Sequence, residues 1–222
     1  MNAIPLEQEI EYPTSDGQPM AETSLHLRVM LDCIVGLRRR YAGTPDVWVG
    51  GNLFLCYEKG NPKAKVAPDV LLAKGVSKWE RPNYLLWQET VPSFVVEVTS
   101  RKTRRVDQGK KKTLYERLGI EEYILFDPYG EYLKPSLQGY RLSRGRYQPI
   151  PLAEDGSLLS RTTNLRLLRE GERLRLADIA TGERVLWSEE LDAALLKEAA
   201  ARRQAEERLR ALEAELARLR KT

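Results

Sequence analysis

The string Ser93–Ser100, SFVVEVTS, constrains this chain more than any other stretch. It is apolar except at Glu97 and its ends, so it reads as a strand buried on both faces. Side chains alternate along a strand, which puts Val95, Glu97 and Thr99 on one face and Phe94, Val96 and Val98 on the other. A carboxylate inside such a strand must be paired or bound, because an uncompensated charge in an apolar interior is prohibitively expensive. Whatever fold forms has to deliver a partner to Glu97.

The next segment offers one. Val106–Gly119, VDQGKKKTLYERLG, has a helical pattern that places Asp107, Lys111, Leu114, Tyr115 and Leu118 on one stripe. Lys111 is near the centre of that stripe, while Lys110 and Lys112 point to its flanks. A lysine on an inward face costs several kcal/mol unless an acid meets it. A second carboxylate, Asp69, ends the string VAPD on an expected strand Lys65–Ala73. Two acids and a lysine converging on one pocket suggest metal-dependent phosphodiester chemistry. Two carboxylates supply hard oxygen ligands for one or two Mg²⁺ ions. The lysine orients the attacking water or stabilises the pentavalent oxyanion. The same three residues also read as a structural ion network.

Composition narrows the classes. The chain has 222 residues, 42% apolar and 31% charged, enough for one sizeable domain with an appendage or for two small domains. It has no run of 18 apolar residues, and its N-terminal stretch is polar without a signal-like apolar core, so a cytoplasmic protein with no membrane association is expected. Two cysteines, Cys33 and Cys56, make no disulfide framework, and a single histidine, His26, is too few for a zinc site. A Ser-His-Asp triad would have to use His26, and no GxSxG string is present. A net charge of +4 permits nucleic-acid binding without demanding it. RKTRR at 101–105 and KKK at 110–112 concentrate cations just after Glu97, although such runs are ordinarily solvated faces.

Along the chain, Met20–Tyr41 reads as a first helix, N-capped by Thr23 or Ser24, with His26, Met30, Cys33, Ile34, Leu37 and Tyr41 inward. Strands are expected at Val47–Val49, Leu53–Tyr57, Lys65–Ala73 and Glu122–Asp127, with a turn at Glu58–Lys63 and a loop-rich insertion at Gly75–Thr90. This order argues an α/β fold with a mixed sheet. From Tyr129, short strands with turn signals at Gly139, Gly145, Gly171 and Gly182 predict an antiparallel β elaboration. Ser188–Thr222 reads as one long polar helix. Its Leu191, Leu195, Leu209, Leu212, Leu216 and Leu219 follow 3,4 spacing, interrupted by Glu198, Arg202 and Ala205, which predicts a short coiled coil and a homodimer. The expected division is 1–187 (core about 20–128, β elaboration about 129–187) and 188–222.

Several strings in fixed order carry a resemblance. Pro68-Asp69, then EVTS (Glu97–Ser100), then Asp107, Lys111 and Tyr115, then LGIEEYILFDP (Leu118–Pro128) resemble the Uma-two family of endonucleases, within the PD-(D/E)xK restriction-endonuclease-like nucleases. YPTSDGQPMAETSLH and GNLFLCYEKGNP resemble one of its subgroups, and the similarity spans roughly residues 10–187. The resemblance implies a restriction-endonuclease-like mixed sheet flanked by helices, with the site at one sheet edge. It implies Asp69 and Glu97 as ligands for Mg²⁺ or Mn²⁺ and nucleic acid, DNA in the first instance, as substrate. The chain departs at position 99, where the wider superfamily expects lysine and this sequence has Thr99. The family pattern places a lysine on the following helix, and Lys111 matches it. The Val98 carbonyl, adjoining Glu97, is a further candidate ligand. Glu22, His26, Asn52 and Thr99 are candidate site-lining residues, and Asp107 and Tyr115 are expected to buttress the lysine. No helix-turn-helix, zinc finger or RNA-binding motif identifies residues that read a nucleic-acid sequence. Two other classes stay open: an inactive nucleic-acid-binding or scaffold protein that keeps the nuclease fold, and an assembly module run by the coiled coil.

Overall fold

A computed structural model describes residues 11–15 and 23–220 of this chain; Glu22, a candidate site residue, lies outside them. The first helix, α1 (Ser24–Arg40), starts where the side chain of Thr23 accepts the His26 backbone N–H, a side-chain N-cap. Its buried face is His26, Val29, Met30, Cys33, Ile34, Gly36 and Leu37. The central sheet has six strands in the order β1 (Val47–Gly50), β4 (Val70–Lys74), β6 (Phe94–Val98), β7 (Glu122–Phe126), β8 (Leu137–Ser143) and β9 (Arg146–Pro149). β6 and β7 run parallel and every other neighbouring pair is antiparallel, so the sheet is mixed.

A parallel pair needs a crossover, and the segment between β6 and β7 supplies a helix. That helix is composite: α2 (Arg104–Val106), a π-helical stretch Asp107–Lys111, then α3 (Lys112–Leu118), closed by Gly119 in the left-handed region at φ 85°. Two further three-stranded sheets are β3 (Lys65–Val66), β2 (Leu55–Cys56) and β5 (Tyr84–Leu85), in that order, and β10 (Leu158–Ser160), β11 (Leu165–Glu170) and β12 (Arg173–Asp178).

The alternation read along Ser93–Ser100 decides which side of the sheet the site faces. Phe94, Val96 and Val98 pack in one core with α1 and with Leu158, Leu165 and Leu167 of the β10–β12 sheet. Val95 packs in a second core with Leu71, Tyr115, Tyr123 and Leu125. Glu97 shares the Val95 face, the side of the composite helix.

Four differences from the sequence reading concern the strands. The expected strand Lys65–Ala73 is broken into β3 and β4, and Asp69 stands just before β4 rather than within a strand. Pro68 cannot donate to a ladder, and the carbonyl of Pro68 is taken instead by the Asn52 N–H at 2.8 Å. The expected strand Leu53–Tyr57 shrinks to the two residues of β2. Gly139 is inside β8, not in a turn: a Cβ there would lie 2.3 Å from Leu158 Cδ1, so close packing of β10 selects it. Finally, β8 and β9 extend the central sheet itself instead of forming a separate elaboration. Buried Glu122 of β7 accepts from Arg141 at 2.7 Å and from the Ser160 hydroxyl, which ties β10 to that sheet.

Among the described residues, 186–220 form a separate unit, whose helix α4 (Ser188–Leu219) has 32 residues. Leu195, Leu209, Leu212, Leu216 and Leu219 on it are all more than half exposed. Among the described residues, no helix is long and apolar enough to cross a membrane.

Candidate active site

Three segments meet at the C-terminal end of β6: the end of that strand, the 67–69 segment leading into β4, and the π-helical stretch. The site therefore lies at the end of two central strands, not along an edge strand of the sheet. Glu97 is 1% exposed, and both its carboxylate oxygens are taken. Oε2 accepts from Lys111 Nζ at 2.7 Å and Oε1 accepts from the Tyr115 hydroxyl at 2.8 Å. Lys111 Nζ also donates to the Ala67 carbonyl at 3.2 Å and lies 3.8 Å from Asp107 Oδ1. Asp69 Oδ2 accepts the Val98 backbone N–H at 2.7 Å, and its Oδ1 lies 3.2 Å from His26 Nε2.

The helix that carries Lys111 is not the plain α-helix of the sequence reading. Its π-turn inserts an extra residue per turn between Asp107 and Lys111, a device frequent at functional positions. Gly109 at the middle of that turn is the residue in the string DQGKK least suited to an ordinary helix interior. The Tyr123 hydroxyl donates to the Asp107 carbonyl at 2.9 Å, fixing the turn from the sheet side. Tyr115 and Tyr123 pack edge to face, with ring centroids 5.1 Å apart. Tyr115 holds Glu97 rather than the lysine, so its expected role as a buttress of Lys111 is redirected to the acid.

Electrostatics separate the two principal carboxylates. Burial raises the pKa of Asp69, but the hydrogen bond and charge of His26, then Lys111 and the Val98 N–H, outweigh it, and the net shift is downward. Burial dominates at Glu97 and raises its pKa to about 8; Lys111 pulls it down, and Asp69 and Asp107 push it up. Asp107 is also raised, by burial first, against the pull of Lys111. Lys111 is lowered by burial, yet Glu97, Asp69 and Asp107 together hold its net shift upward, so it carries its charge at neutral pH.

His26, 5% exposed, is brought directly onto Asp69. Thr99 is 1% exposed, on the Glu97 face, and its hydroxyl makes no hydrogen bond in good geometry. Asn52 is exposed, at φ 52°, and its backbone N–H donates to the Pro68 carbonyl next to Asp69. The sequence reading missed Gly51. A Cβ at Gly51 would lie 1.9 Å from the Asp69 carbonyl oxygen, so this glycine lets the 50–52 turn press against the acid-bearing segment. The Gly50-Gly51 pair was the available signal. The Ala67 carbonyl, a lysine acceptor, leaves no mark in a sequence.

The donor set suits a hard divalent cation. Asp69 and Glu97 are carboxylates whose oxygens each keep a lone pair beyond the bonds described. Asp107, buried beside them, has no hydrogen bond of good geometry at either carboxylate oxygen, and Lys111 Nζ lies 3.8 Å away. Among the described residues, no three His, Cys, Asp or Glu side chains converge closely enough to hold one ion, so protein ligation would rest on the Asp69–Glu97 pair with backbone and water.

A family described as Uma2, "Putative restriction endonuclease", matches residues 2–175. Among solved structures, the chain is similar to a "putative nuclease belonging to DUF820" from Anabaena variabilis ATCC 29413. The two are 12% identical, with a TM-score of 0.47, over 64% of this chain and 75% of that one. No curated protein matches.

Proposed function

Because the chain belongs to the Uma2 family, we propose that it is a metal-dependent endonuclease that hydrolyses DNA phosphodiester bonds. In this reading Asp69 and Glu97 hold Mg²⁺ or Mn²⁺, with the Val98 carbonyl as a further ligand, and Lys111 is the catalytic lysine. The observation that carries it is Lys111 Nζ at 2.7 Å from Glu97: the lysine missing at position 99 reaches the acid from the helix. Each residue has a distinct task. His26 keeps Asp69 ionised and fixes its orientation. Tyr115 and Lys111 orient Glu97, which yields its proton when a cation takes its place. Lys111 supplies a fixed positive charge for the oxyanion that develops at phosphorus. A divalent ion, when bound, lowers the pKa of its water and neutralises phosphate charge.

A second reading has a specific observation behind it. All four oxygens of Asp69 and Glu97 already accept or adjoin donors (His26, the Val98 N–H, Lys111 and Tyr115), as in a structural ion network inside an inactive nucleic-acid-binding scaffold. Calorimetric titration of Mn²⁺ and Mg²⁺ into wild type, Asp69→Asn and Lys111→Ala, with plasmid nicking on the same samples, separates the two. The nuclease reading expects binding lost in Asp69→Asn, binding retained in Lys111→Ala, and nicking lost in both. Absence of binding by wild type at millimolar ion sinks it and leaves the scaffold.

The proposal extends to assembly and compartment. The exposed leucines of α4 form a seam for α4 of a second copy, giving a homodimer. The unpaired buried thiols of Cys33 and Cys56 suit the cytoplasm.

A further inference from the structure

β6 and β7 are parallel, with Val98 opposite Phe126, so the loops that follow both strands leave the sheet at the end that carries Glu97. Both loops are held in shape by their own side chains. After β6, the Ser100 N–H donates to Thr103 Oγ1 at 3.0 Å and the Thr103 N–H donates to Ser100 Oγ at 3.3 Å. This closed turn turns Arg101 and Lys102 out to solvent, and Arg105 and Lys110 follow on the exposed face of the composite helix. After β7, buried Asp127 accepts the backbone N–H groups of Tyr129, at 3.0 Å, Tyr132, and Leu133, at 2.9 Å. That bracket presents Tyr129, 38% exposed, and half-buried Tyr132, with ring centroids 6.2 Å apart at 71°.

The tyrosine loop is coupled to the site by contact. The Tyr129 hydroxyl lies 3.4 Å from Thr23 Oγ1, Thr23 caps the backbone of His26, and His26 meets Asp69. The Tyr132 hydroxyl is pushed up chiefly by a hydrogen bond with Glu131, and the charge of Arg101 pulls it back. Among the described residues, Arg101, Lys102, Arg105 and Lys110 enter no ion pair; the acids of this rim are Glu131 and the inward-facing Asp127 and Asp107.

We propose that this rim docks an unpaired nucleic-acid strand, its bases stacking on Tyr129 and Tyr132 and its phosphates lying along Arg101, Lys102, Arg105 and Lys110. The inference rests on the nuclease reading of the site and names the form of its substrate. Four unpaired cations alone would serve a duplex or a single strand, since both present phosphates. The aromatic rings, Tyr129 exposed and Tyr132 half-buried, decide between them: a base offers its face to a surface ring only when it is out of the stack. The preferred substrate is then a single strand, or a duplex with an unpaired segment at the point of cleavage.

The test is fluorescence anisotropy on the full chain in EDTA, with a labelled mixed-sequence 20-nucleotide DNA single strand and a blunt duplex of the same sequence. The single strand is expected to bind at least tenfold more tightly than the duplex. Tyr129→Ala with Tyr132→Ala is expected to lose roughly 10- to 100-fold on the single strand and little on the duplex. Tyr129→Phe, which keeps the ring, is expected to retain affinity, so a loss in the alanine variant is read as stacking and not as misfolding. Arg101→Gln with Arg105→Gln is expected to reduce the slope of log affinity against log salt by about 1.4. Equal or tighter duplex binding, or a single-strand affinity indifferent to both tyrosines, overturns the proposal. Added Mn²⁺ keeps the two readings apart. Tyrosine-dependent binding without cleavage refutes the nuclease and leaves the rim standing. Duplex cleavage indifferent to the tyrosines refutes the rim and leaves the nuclease.

Discussion

Glu97→Gln should make the metal-free protein more stable. Glu97 is fully buried, and its pKa rises from 4.5 to about 8 in the fold. At pH 7 the unfolded chain carries the carboxylate ionised while the folded chain must hold a proton on it. Integrating that difference from acid to pH 7 gives a penalty of about 3 kcal/mol, at 1.36 kcal/mol per pKa unit. The sign follows from proton counts. Between the unfolded and folded values the folded state binds more protons, so stability falls as pH rises from the unfolded value towards about 8. Glutamine has the same shape and no charge to desolvate. It keeps one acceptor for Lys111 or Tyr115 and gives up part of the pairing to the other, at about 1 kcal/mol per hydrogen bond. The net gain should be about 1–2 kcal/mol at pH 7, a rise in Tm of roughly 2–8 °C for a chain of this size. At pH 5 the penalty in the wild type drops to about 1 kcal/mol, so the gain should vanish or turn into a loss of up to about 1 kcal/mol. Urea unfolding in EDTA at both pH values reads this directly. A Glu97→Gln variant that loses 3 kcal/mol or more at pH 7 would refute the reasoning, because it would show that the Lys111–Glu97 pair outweighs the burial cost and is held for stability.

Other substitutions probe the same cluster from different sides. Lys111→Met removes a partner from a buried pair; because Glu97 already holds a proton at pH 7, no bare carboxylate is left behind, and the cost should be about 2 kcal/mol, below the usual 3–5 for such pairs, by urea unfolding. Asp69→Asn should leave stability less dependent on acid: the lowered pKa of Asp69 gives stability that is present above the unfolded value of 3.8 and lost as pH falls through the folded value, so the variant's acid unfolding curve should be shallower there. Gly51→Ala sets a Cβ 1.9 Å from the Asp69 carbonyl, which must shift, so a loss of about 2–4 kcal/mol and of cation binding is expected by unfolding and calorimetry. A chain ending at Trp187 should be monomeric by light scattering, with the circular dichroism of residues 1–187 intact and the full chain dimeric; a dimeric truncated chain would remove α4 from the interface.

Elements with strong periodicity were legible in the sequence: the α1 face, the two-sided burial of β6 and β7, and a helix between them that turns Lys111 towards Glu97. What was not legible depended on contacts between segments distant in sequence. The division of Lys65–Ala73 follows from the 50–52 turn that presses on Pro68-Asp69, a steric fact visible only when both segments are placed. Gly139 has the composition of a turn and the position of a packing site, because β10 crosses it. The π-turn cannot be derived from a 3.6-residue period, which assumes the regularity that Asp107–Lys111 breaks. Tyr115 fell on the predicted stripe but was given the wrong partner, since a stripe specifies direction and not reach.

In the proposed site, a lysine on the composite helix takes the place of one on the strand. A lysine at position 99 would emerge from β6 two residues beyond Glu97 on the same face, tied to that strand alone. Lys111 enters from outside the sheet and touches two segments at once, Glu97 at the end of β6 and the Ala67 carbonyl just ahead of Pro68-Asp69. It therefore pins the two acid-bearing segments to each other, a role that position 99 could not fill. In that proposal the helix supplies the charge, position 99 needs no cation, and a small buried threonine suffices beside the Asp107 carboxylate. Moving the lysine back, as Lys111→Met with Thr99→Lys, should restore the charge without restoring the clasp. The double variant should bind a divalent cation more weakly than wild type even if its lysine reaches Glu97. Full recovery of cation affinity by calorimetry would show that the charge alone matters and that the Ala67 contact is incidental.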